Sequence, residues 1–522
     1  MSAGDTYDLL VIGAGINGAG IARDAAGRGS RVLLCEQADV ASYTSSASTK
    51  LIHGGLRYLQ NYEFSLVTKA LREREILLRN APHIIAPLRI VMPHSPSLRP
   101  GWMIRAGLML YDHLGGRKQL LAPSEAVDLR WHVAGRALTP RLAEGFVYSD
   151  CSVQDSRLVV LNAMDAAQRG ASVWLRTRCL MAQPHGHGWR AVLQCMRNGS
   201  ERVVHARVLV NATGPWASSF LAEAVALRSA PTLRLVQGSH IVVPKHFRHN
   251  CAYLFQNDDG RIVFAIPYER DFTLIGTTEA PYQGEPAEAR ASEEEISYLC
   301  RAVNRYFREP IRPEAVVWTY SGVRPLYDER DEIELSAASR DYLLDLRMHP
   351  APLLSVLGGK LTTYRLLAQD AMRKLAAVLG CDEADWTSRA PLPGGDIADA
   401  DFDGFQRSVM HRYPWLPQAL LERLACSYGT RMHLILRSAH GLNGLGEHFG
   451  AGLYEAELRY LIEVEWAVTA ADVLWRRSKL GLRLTEVQVA RLAQWLAGAH
   501  AEHSEAAAGT RRAGVRNSSG EP

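Results

Sequence analysis

The chain is poor in sulfur and arranges it without pattern. Its eight cysteines, at 35, 151, 179, 195, 251, 300, 381 and 426, form no CxxC pair, which argues against a zinc site or a disulfide framework and for a reducing compartment. No apolar run reaches the roughly 18–20 residues of a spanning helix. The opening "MSAGDTYDLLVIG" lacks the basic start and small-residue cleavage site of a secretory leader. Charge of one sign is also scarce in excess: 59 Lys plus Arg against 55 Asp plus Glu leave a net +4. That balance excludes wholesale coating of nucleic acid but leaves room for a local anion pocket. No internal repeat is visible. These absences predict a cytoplasmic protein, at most lying on a membrane face, whose partner is a small molecule and not a nucleic acid.

What is present is 522 residues, 47% of them hydrophobic, enough for two to four domains. Residues 7–37, "YDLLVIGAGINGAGIARDAAGRGSRVLLCEQ", read as strand, GxGxxG, helix, strand and acidic residue within one short unit. Gly13 permits the tight turn, Gly15 lets the backbone approach a pyrophosphate at the helix start, and Gly18 lets helix and strand pack closely. Glu36 is placed to bind a ribose hydroxyl. The motif alone does not separate NAD from FAD.

Two further segments bear on that choice. "RVLVNATGPWA" (207–217) resembles the strand that closes over FAD in two-dinucleotide-binding-domain flavoproteins, and "LLSVLGGKLTTYR" (353–365) resembles the segment that reaches the flavin ring there. Residues 231–340 turn to β-rich alternation, as in "GSHIVV", "RIVFAIP" and "DFTLIGTTE", joined by short turns such as "YERD" that suggest antiparallel hairpins. After the punctuated "APLPGGD" (390–396) the chain reads as helical to about 500, with apolar 3.6 periodicity through "YEAELRYLIEVEWAVTAADVLWRR". The tail from 501 to 522 lacks large apolar residues and reads as disordered.

Together "GAGINGAGIARDAAGRG", "TSSASTKLIHGGLRYL", "VNATGPWA", "GSHIVVP", "WTYSGVRPL" and "GGKLTTYR" resemble the aerobic, FAD-dependent glycerol-3-phosphate dehydrogenases, a likeness reaching to about residue 500. The resemblance implies an α/β two-dinucleotide-binding-domain flavoprotein, Rossmann-like and of the glutathione-reductase/D-amino-acid-oxidase type. An antiparallel β substrate domain and a C-terminal all-α domain complete the implied fold. The expected FAD-binding domain is discontinuous, at 1–85, 145–230 and 341–388. The substrate domain is expected at 86–144 and 231–340, and the helical domain, a cap or a homodimer surface, at 389–500.

In function, the resemblance implies oxidation of sn-glycerol 3-phosphate to dihydroxyacetone phosphate, with electrons passing through noncovalent FAD to a membrane quinone. His240 is then the base and Arg324 the charge-stabilising partner, an Arg because it cannot give up its proton. By strand alternation alone His240 faces either a pocket or a core. Arg57, Tyr58, Lys360 and Arg340 are implied for the substrate phosphate. Asn17, Ser45, Ser46, Ser48, Thr49, Gly54, Gly55, Ala212, Gly214, Gly359, Leu361 and Thr362 join Gly13, Gly15, Gly18 and Glu36 for the cofactor, with Gly54 and Gly55 letting the chain pass the flavin without a Cβ. Competing readings are a glycerol-3-phosphate oxidase or an amine oxidase on the same scaffold using oxygen, and a flavin-binding protein without turnover. For the membrane contact, residues 98–119 intersperse Trp102, Met103, Ile104, Leu108, Met109, Leu110 and Tyr111 with Arg99, Arg105, Arg117 and Lys118, a composition suited to a headgroup layer.

Overall fold

The apolar run at the start of the chain becomes the strand Thr6–Ile12, buried almost throughout because parallel neighbours flank it and helices cover it. Glu201–Asn211 pairs with it on one side and Val32–Cys35 on the other, both parallel. Leu353–Gly358 and Ser172–Trp174 extend the sheet outward, again in parallel. The computed structural model describes residues 6–95, 100–116, 120–227, 232–327, 341–382 and 384–500; Arg340, Arg99, Arg117, Lys118 and the 501–522 tail lie outside them. The register sets Ile12 beside Asn211 and Asn211 beside Ser355. Three segments far apart in sequence therefore end at one sheet edge and turn there through Gly13, Ala212 and Gly359. Helix Ile16–Gly27 lies between Asp155–Gln168 and Tyr364–Leu379, and a Cβ on Gly20 would come 2.9 Å from the Tyr364 ring.

A second, ten-stranded sheet carries the β-rich part of the chain. Arg234–Pro244 runs antiparallel to both Phe272–Gly276 and Trp318–Leu326. The "YERD" turn joins Ile262–Tyr268 to Phe272–Gly276 with Glu269 and Arg270 both at positive φ, as an antiparallel hairpin requires. One face of this sheet packs Ile241, Val243, Phe255 and Ile275 with Leu299 and Val303 of helix Glu293–Asn304, which opens on a Ser292/Glu295 capping box. Strand Glu144–Val153, expected in the nucleotide domain, pairs along its whole length with Ile85–His94 and belongs to this second sheet.

The described residues divide into two compact units, 6–405 with Tyr428–Thr430, and Gln406–Ser427 with 431–500. The "APLPGGD" stretch, read as a linker, is pinned within the first. Leu392 N–H donates to Asn80 O at 2.8 Å, Arg23 Nη2 donates to Ala390 O at 2.9 Å, and a Cβ on Gly395 would lie 2.2 Å from Asn80 O. In the second unit, Glu457 on helix Glu455–Glu465 takes a bidentate pair from Arg423 at 2.6 Å. The expected continuous helix through 454–477 is broken. Trp466 adopts φ +57, the chain resumes as a π-helical turn at Asp472–Arg477, and Arg477 Nη2 donates back to Glu465 O at 2.5 Å. The unit also holds a short two-stranded pair, His448–Gly450 with Leu453–Tyr454.

Within the first unit, helix Phe64–Asn80 is tied to helix Tyr364–Leu379 by a buried bidentate pair. Arg365 Nη2 and Nε donate to Glu73 Oε1 and Oε2 at 2.6 and 2.8 Å, while Arg365 Nη1 donates to Asp385 Oδ1 and Thr387 Oγ1. Removing Glu73 leaves the buried Arg365 guanidinium only the part-exposed Asp385 carboxylate, a loss of up to about 3–5 kcal/mol. Glu73→Ala should therefore lower the thermal unfolding midpoint by several degrees, read by circular dichroism, whereas exposed Glu125→Ala, which loses a surface pair with Arg89, should barely move it.

Candidate cofactor and substrate site

A cavity of about 750 Å³ opens where the parallel strands end against the free face of the second sheet. Its floor is the glycine turn. Gly13 has φ +104, and a Cβ there would lie 2.5 Å from Ala212 O; one on Gly18 would lie 1.9 Å from Gly13 O. Gly18 thus serves helix-to-strand packing and does not line the cavity. Gly15 is different: it has ordinary extended angles, and a Cβ would meet only Ser45 Oγ, at 3.2 Å. The helix that starts after it has no side-chain cap, so its N-terminal dipole faces the cavity beside Ser45, whose Oγ accepts the Ile16 N–H at 3.0 Å. Glu36 closes one end, accepting N–H bonds from Ala14 and Ala38 at 2.8 and 2.9 Å. Burial pushes its carboxyl above the usual range, with those two bonds opposing.

Of the cofactor residues expected from sequence, Gly13, Gly15, Asn17, Glu36, Ser45, Ser48, Thr49, Gly55, Ala212, Gly214, Gly359, Leu361 and Thr362 all line this one cavity. Asn17 Nδ2 donates to Gly358 O at 3.2 Å, joining the first helix to the last strand. Besides Gly18, two expected residues do not line it. Ser46 turns its Oγ back to Tyr43 O at 3.0 Å. Gly54 leaves room not for a flavin but for neighbours: a Cβ would come 2.3 Å from Leu71 Cδ2 and 2.6 Å from Tyr111 Oη. Tyr111 corrects a second expectation. It is fully buried, as is Leu108, and its Oη accepts the Gly54 N–H at 2.8 Å and donates to Asp150 at 2.7 Å. The low-dielectric interior leaves such a hydroxyl no option but a partner.

Arg57 and Tyr58 sit on the 3-10 turn Leu56–Asn61, entered through Gly55 at φ +75, where a Cβ would strike the Tyr58 ring at 2.3 Å. Lys360 Nζ lies 3.8 Å from the Tyr58 ring centroid. Arg57, Tyr58 and Lys360 all face the cavity. From the second sheet, alternation sends Ile241 to the core and His240, with Gly238, Gly322 and Arg324, to the cavity. His240 is buried; its Nε2 lies 3.0 Å from Thr49 Oγ1, and its Nδ1 has no hydrogen-bond partner among the described residues. Burial, reinforced by the Lys50 and Arg324 charges, holds its pKa well below the ordinary imidazole value. It is therefore a neutral, proton-accepting ring at working pH. Arg324 Nη2 donates to Glu279 Oε1 at 3.1 Å.

The sequence reading passed over several lining or supporting residues. Tyr43 and Trp216 meet edge to face at 4.7 Å on the cavity wall, and Trp216 Nε1 donates to Glu285 at 2.7 Å. Tyr320 stacks on His240, and Lys50 is anchored to Asp155. Tyr320 was within reach, since it alternates with Gly322 and Arg324; nothing local marks Asp155.

Comparison with known proteins agrees with this architecture. The family of FAD dependent oxidoreductases matches residues 8–365, and the C-terminal domain of alpha-glycerophosphate oxidase matches 386–504. The chain is 50% identical to a glycerol-3-phosphate dehydrogenase of Pseudomonas aeruginosa, over 95% of this chain and 96% of that one. It is 48% identical to the D-erythritol 1-phosphate dehydrogenase of Brucella abortus, over 96% and 99%. Among solved structures, the FAD complex of the Bacillus halodurans glycerol-3-phosphate dehydrogenase superimposes with a TM-score of 0.74 at 27% identity, covering 95% of this chain and 90% of that one.

The residues present fit FAD: a glycine turn with no space for a Cβ at Gly13, a helix start whose N-cap is a glycine, and a buried carboxyl at the second strand's end. Because Gly15 has ordinary angles and one hydroxyl neighbour, Gly15→Val should fold yet lose FAD, seen as a collapse of the 450 nm to 280 nm absorbance ratio with circular dichroism unchanged. A glycine cradle, a cation-lined cavity and near-full-length relatives meet in one chain, and it belongs to the family of FAD-dependent glycerol-3-phosphate dehydrogenases.

Proposed function

We propose that the chain oxidises sn-glycerol 3-phosphate to dihydroxyacetone phosphate and delivers the electrons to a membrane quinone. The observation that carries this reading is that Arg57 and Lys360 share a cavity with His240 and Arg324: fixed cations for a phosphate lie within one enclosure with a neutral base. FAD, when bound, supplies the hydride acceptor. The chain's residues do the rest. Arg57, Tyr58 and Lys360 hold the phosphate, with Arg340 a further proposed contact. His240 takes the hydroxyl proton, and Arg324 stabilises the negative charge that develops as the proton leaves. Burial of the base also keeps solvent from protonating it. A second reading, a longer polyol phosphate, is favoured by the likeness to the D-erythritol 1-phosphate dehydrogenase.

Anaerobic glycerol 3-phosphate should bleach the flavin absorbance, and a quinone analogue should restore it faster than oxygen. Bleaching at lower concentration by D-erythritol 1-phosphate would assign the longer substrate, fast reoxidation by oxygen an oxidase, and no bleaching by either a cofactor-binding protein without turnover. Arg57→Ala and Lys360→Ala should each raise the half-saturating glycerol 3-phosphate concentration about 10- to 150-fold, the equivalent of about 1.5–3 kcal/mol of charged hydrogen bonding. Neither should change the response to unphosphorylated glycerol.

A lipid-soluble acceptor requires the protein to reach a membrane, and among the described residues no helix is long and apolar enough to cross one. The helix Gly101–Leu114 supports docking on the surface instead. Trp102 is 72% and Met109 65% exposed, with Met103 and Leu110 also outward and Arg105 among them. Ile104 is half-buried. The neighbouring Leu56–Asn61 turn leads into Tyr62, 80% exposed, and Phe64, which extends the apolar area. Aromatics with a flanking cation suit an anionic headgroup layer. Trp102→Ser with Met109→Ser and Arg105→Glu should lower sedimentation with anionic vesicles while turnover with a soluble acceptor persists; unchanged sedimentation would move the dock elsewhere.

A further inference from the structure

The imidazole of His240 needs more than Thr49 to hold it. A ring with one hydrogen bond rotates broadly about its last side-chain torsion, and a half-turn puts Cδ2 and Cε1 where Nδ1 and Nε2 had been, which takes the proton-accepting nitrogen out of line. The two strands beside it restrict that rotation. On one side the register sets His240 opposite Gly276, where a Cβ would come 2.0 Å from the imidazole Cδ2, so the ring occupies the space a side chain would fill. On the other side it is opposite Tyr320, and the two rings stack at 4.8 Å with only 12° between planes. Tyr320 is itself fixed. Its Oη donates to Ser48 O at 2.8 Å, and Lys50 Nζ lies 4.5 Å from its ring centroid. Lys50 is buried at φ +59 and donates to Asp155 Oδ2 at 2.8 Å and to Ser46 O at 3.1 Å. Asp155 Oδ2 also accepts from Ser48 Oγ at 2.8 Å, which closes the network.

Resting on the reading of His240 as base, we propose that Tyr320, braced by Lys50 and Asp155, is the positioning residue for His240. Its ring holds the imidazole plane in one orientation, and the Lys50 ammonium disfavours a second positive charge beside it. The groups that face His240 are Thr49 and Lys50 from the loop, Tyr320 and Arg324 from Trp318–Leu326, and Gly276 from Phe272–Gly276. Both cations carry a carboxylate partner, Lys50 with Asp155 and Arg324 with Glu279, and of the two Lys50 acts more strongly on the imidazole. Ser46 and Ser48 gain a role here that cofactor contact alone does not give them: their carbonyls hold Lys50 and Tyr320.

The test uses the FAD-loaded full chain. In anaerobic stopped flow, Tyr320→Leu should lower the limiting rate of flavin reduction about 10- to 100-fold, as expected when a reacting group loses its orientation, with the substrate dissociation constant within about threefold of the parent. Tyr320→Phe keeps the stack and should stay within about threefold in rate. Lys50→Met should move the acid limb of the reduction profile to higher pH, and Lys50→Arg should not. A readout without turnover accompanies these: ¹⁵N-histidine NMR, with the His240 signals identified by their loss in His240→Asn. These should show one neutral tautomer in the parent and in Tyr320→Phe, and averaged nitrogen shifts in Tyr320→Leu. A Tyr320→Leu variant with parental rate and a single tautomer overturns the proposal, as does a Tyr320→Phe variant as impaired as Tyr320→Leu. Parental reduction by His240→Asn would instead overturn the base itself and so is distinguishable.

Discussion

A bidentate ion pair between residues 292 positions apart holds together the cation-bearing wall of the cavity. Glu73 lies on the helix that follows Arg57, and Arg365 on the helix that follows Lys360. Two like charges brought to one small volume repel, so the elements that carry them gain from an attachment elsewhere. The Glu73–Arg365 pair is that attachment. Its geometry suits burial, because Asp385 and Thr387 take the guanidinium protons that Glu73 leaves, and a buried charge is tolerable only when its hydrogen-bonding capacity is met.

The two sheets contribute to the cavity in different ways. The parallel sheet offers strand ends, where backbone N–H groups and glycine turns approach a ligand without side chains between. The second sheet, antiparallel except where Ala252–Gln256 meets Ile85–His94, offers a face, and alternation divides its residues: Ile241 and Ile275 to the helix-covered core, His240, Gly322 and Arg324 to the cavity. The chemistry proposed for His240 depends on this division. A buried ring among cations stays neutral, and neutrality is what a proton acceptor requires.

Helix Gly101–Leu114 likewise presents two different faces. Its outward residues include exposed Trp102, Met103, Met109 and Leu110 with Arg105, while its inward Tyr111 takes the Gly54 N–H immediately before the turn that carries Arg57 and Tyr58. Tyr111 is in turn held by Asp150, which Arg74 contacts at 2.6 Å. The proposed docking surface and the substrate loop are thus joined through one buried hydroxyl, so a residue type that composition assigns to a membrane interface is here part of the interior.

The order of residues sufficed to read the nucleotide-binding turn, because what marks it lies within residues 7–37: a left-handed turn only glycine adopts freely, a helix start and a carboxylate. It also determined the β-rich and helical stretches, whose periodicities are properties of neighbouring residues, and the motifs whose residues line the cavity. Tertiary structure alone decided which face of its strand His240 presents, since alternation is symmetric until a helix covers one side. It alone gave Gly54 to Leu71 and Tyr111, paired Glu73 with Arg365, Lys50 with Asp155 and Tyr320 with His240, and broke the 454–477 helix at Trp466 where Arg477 binds back. The physical reason is common to all of these. A buried polar or aromatic group chooses its partner by where the chain returns in space, and the free energy that selects the partner, the avoided cost of an unsatisfied or uncovered group, does not exist until the fold has removed the water.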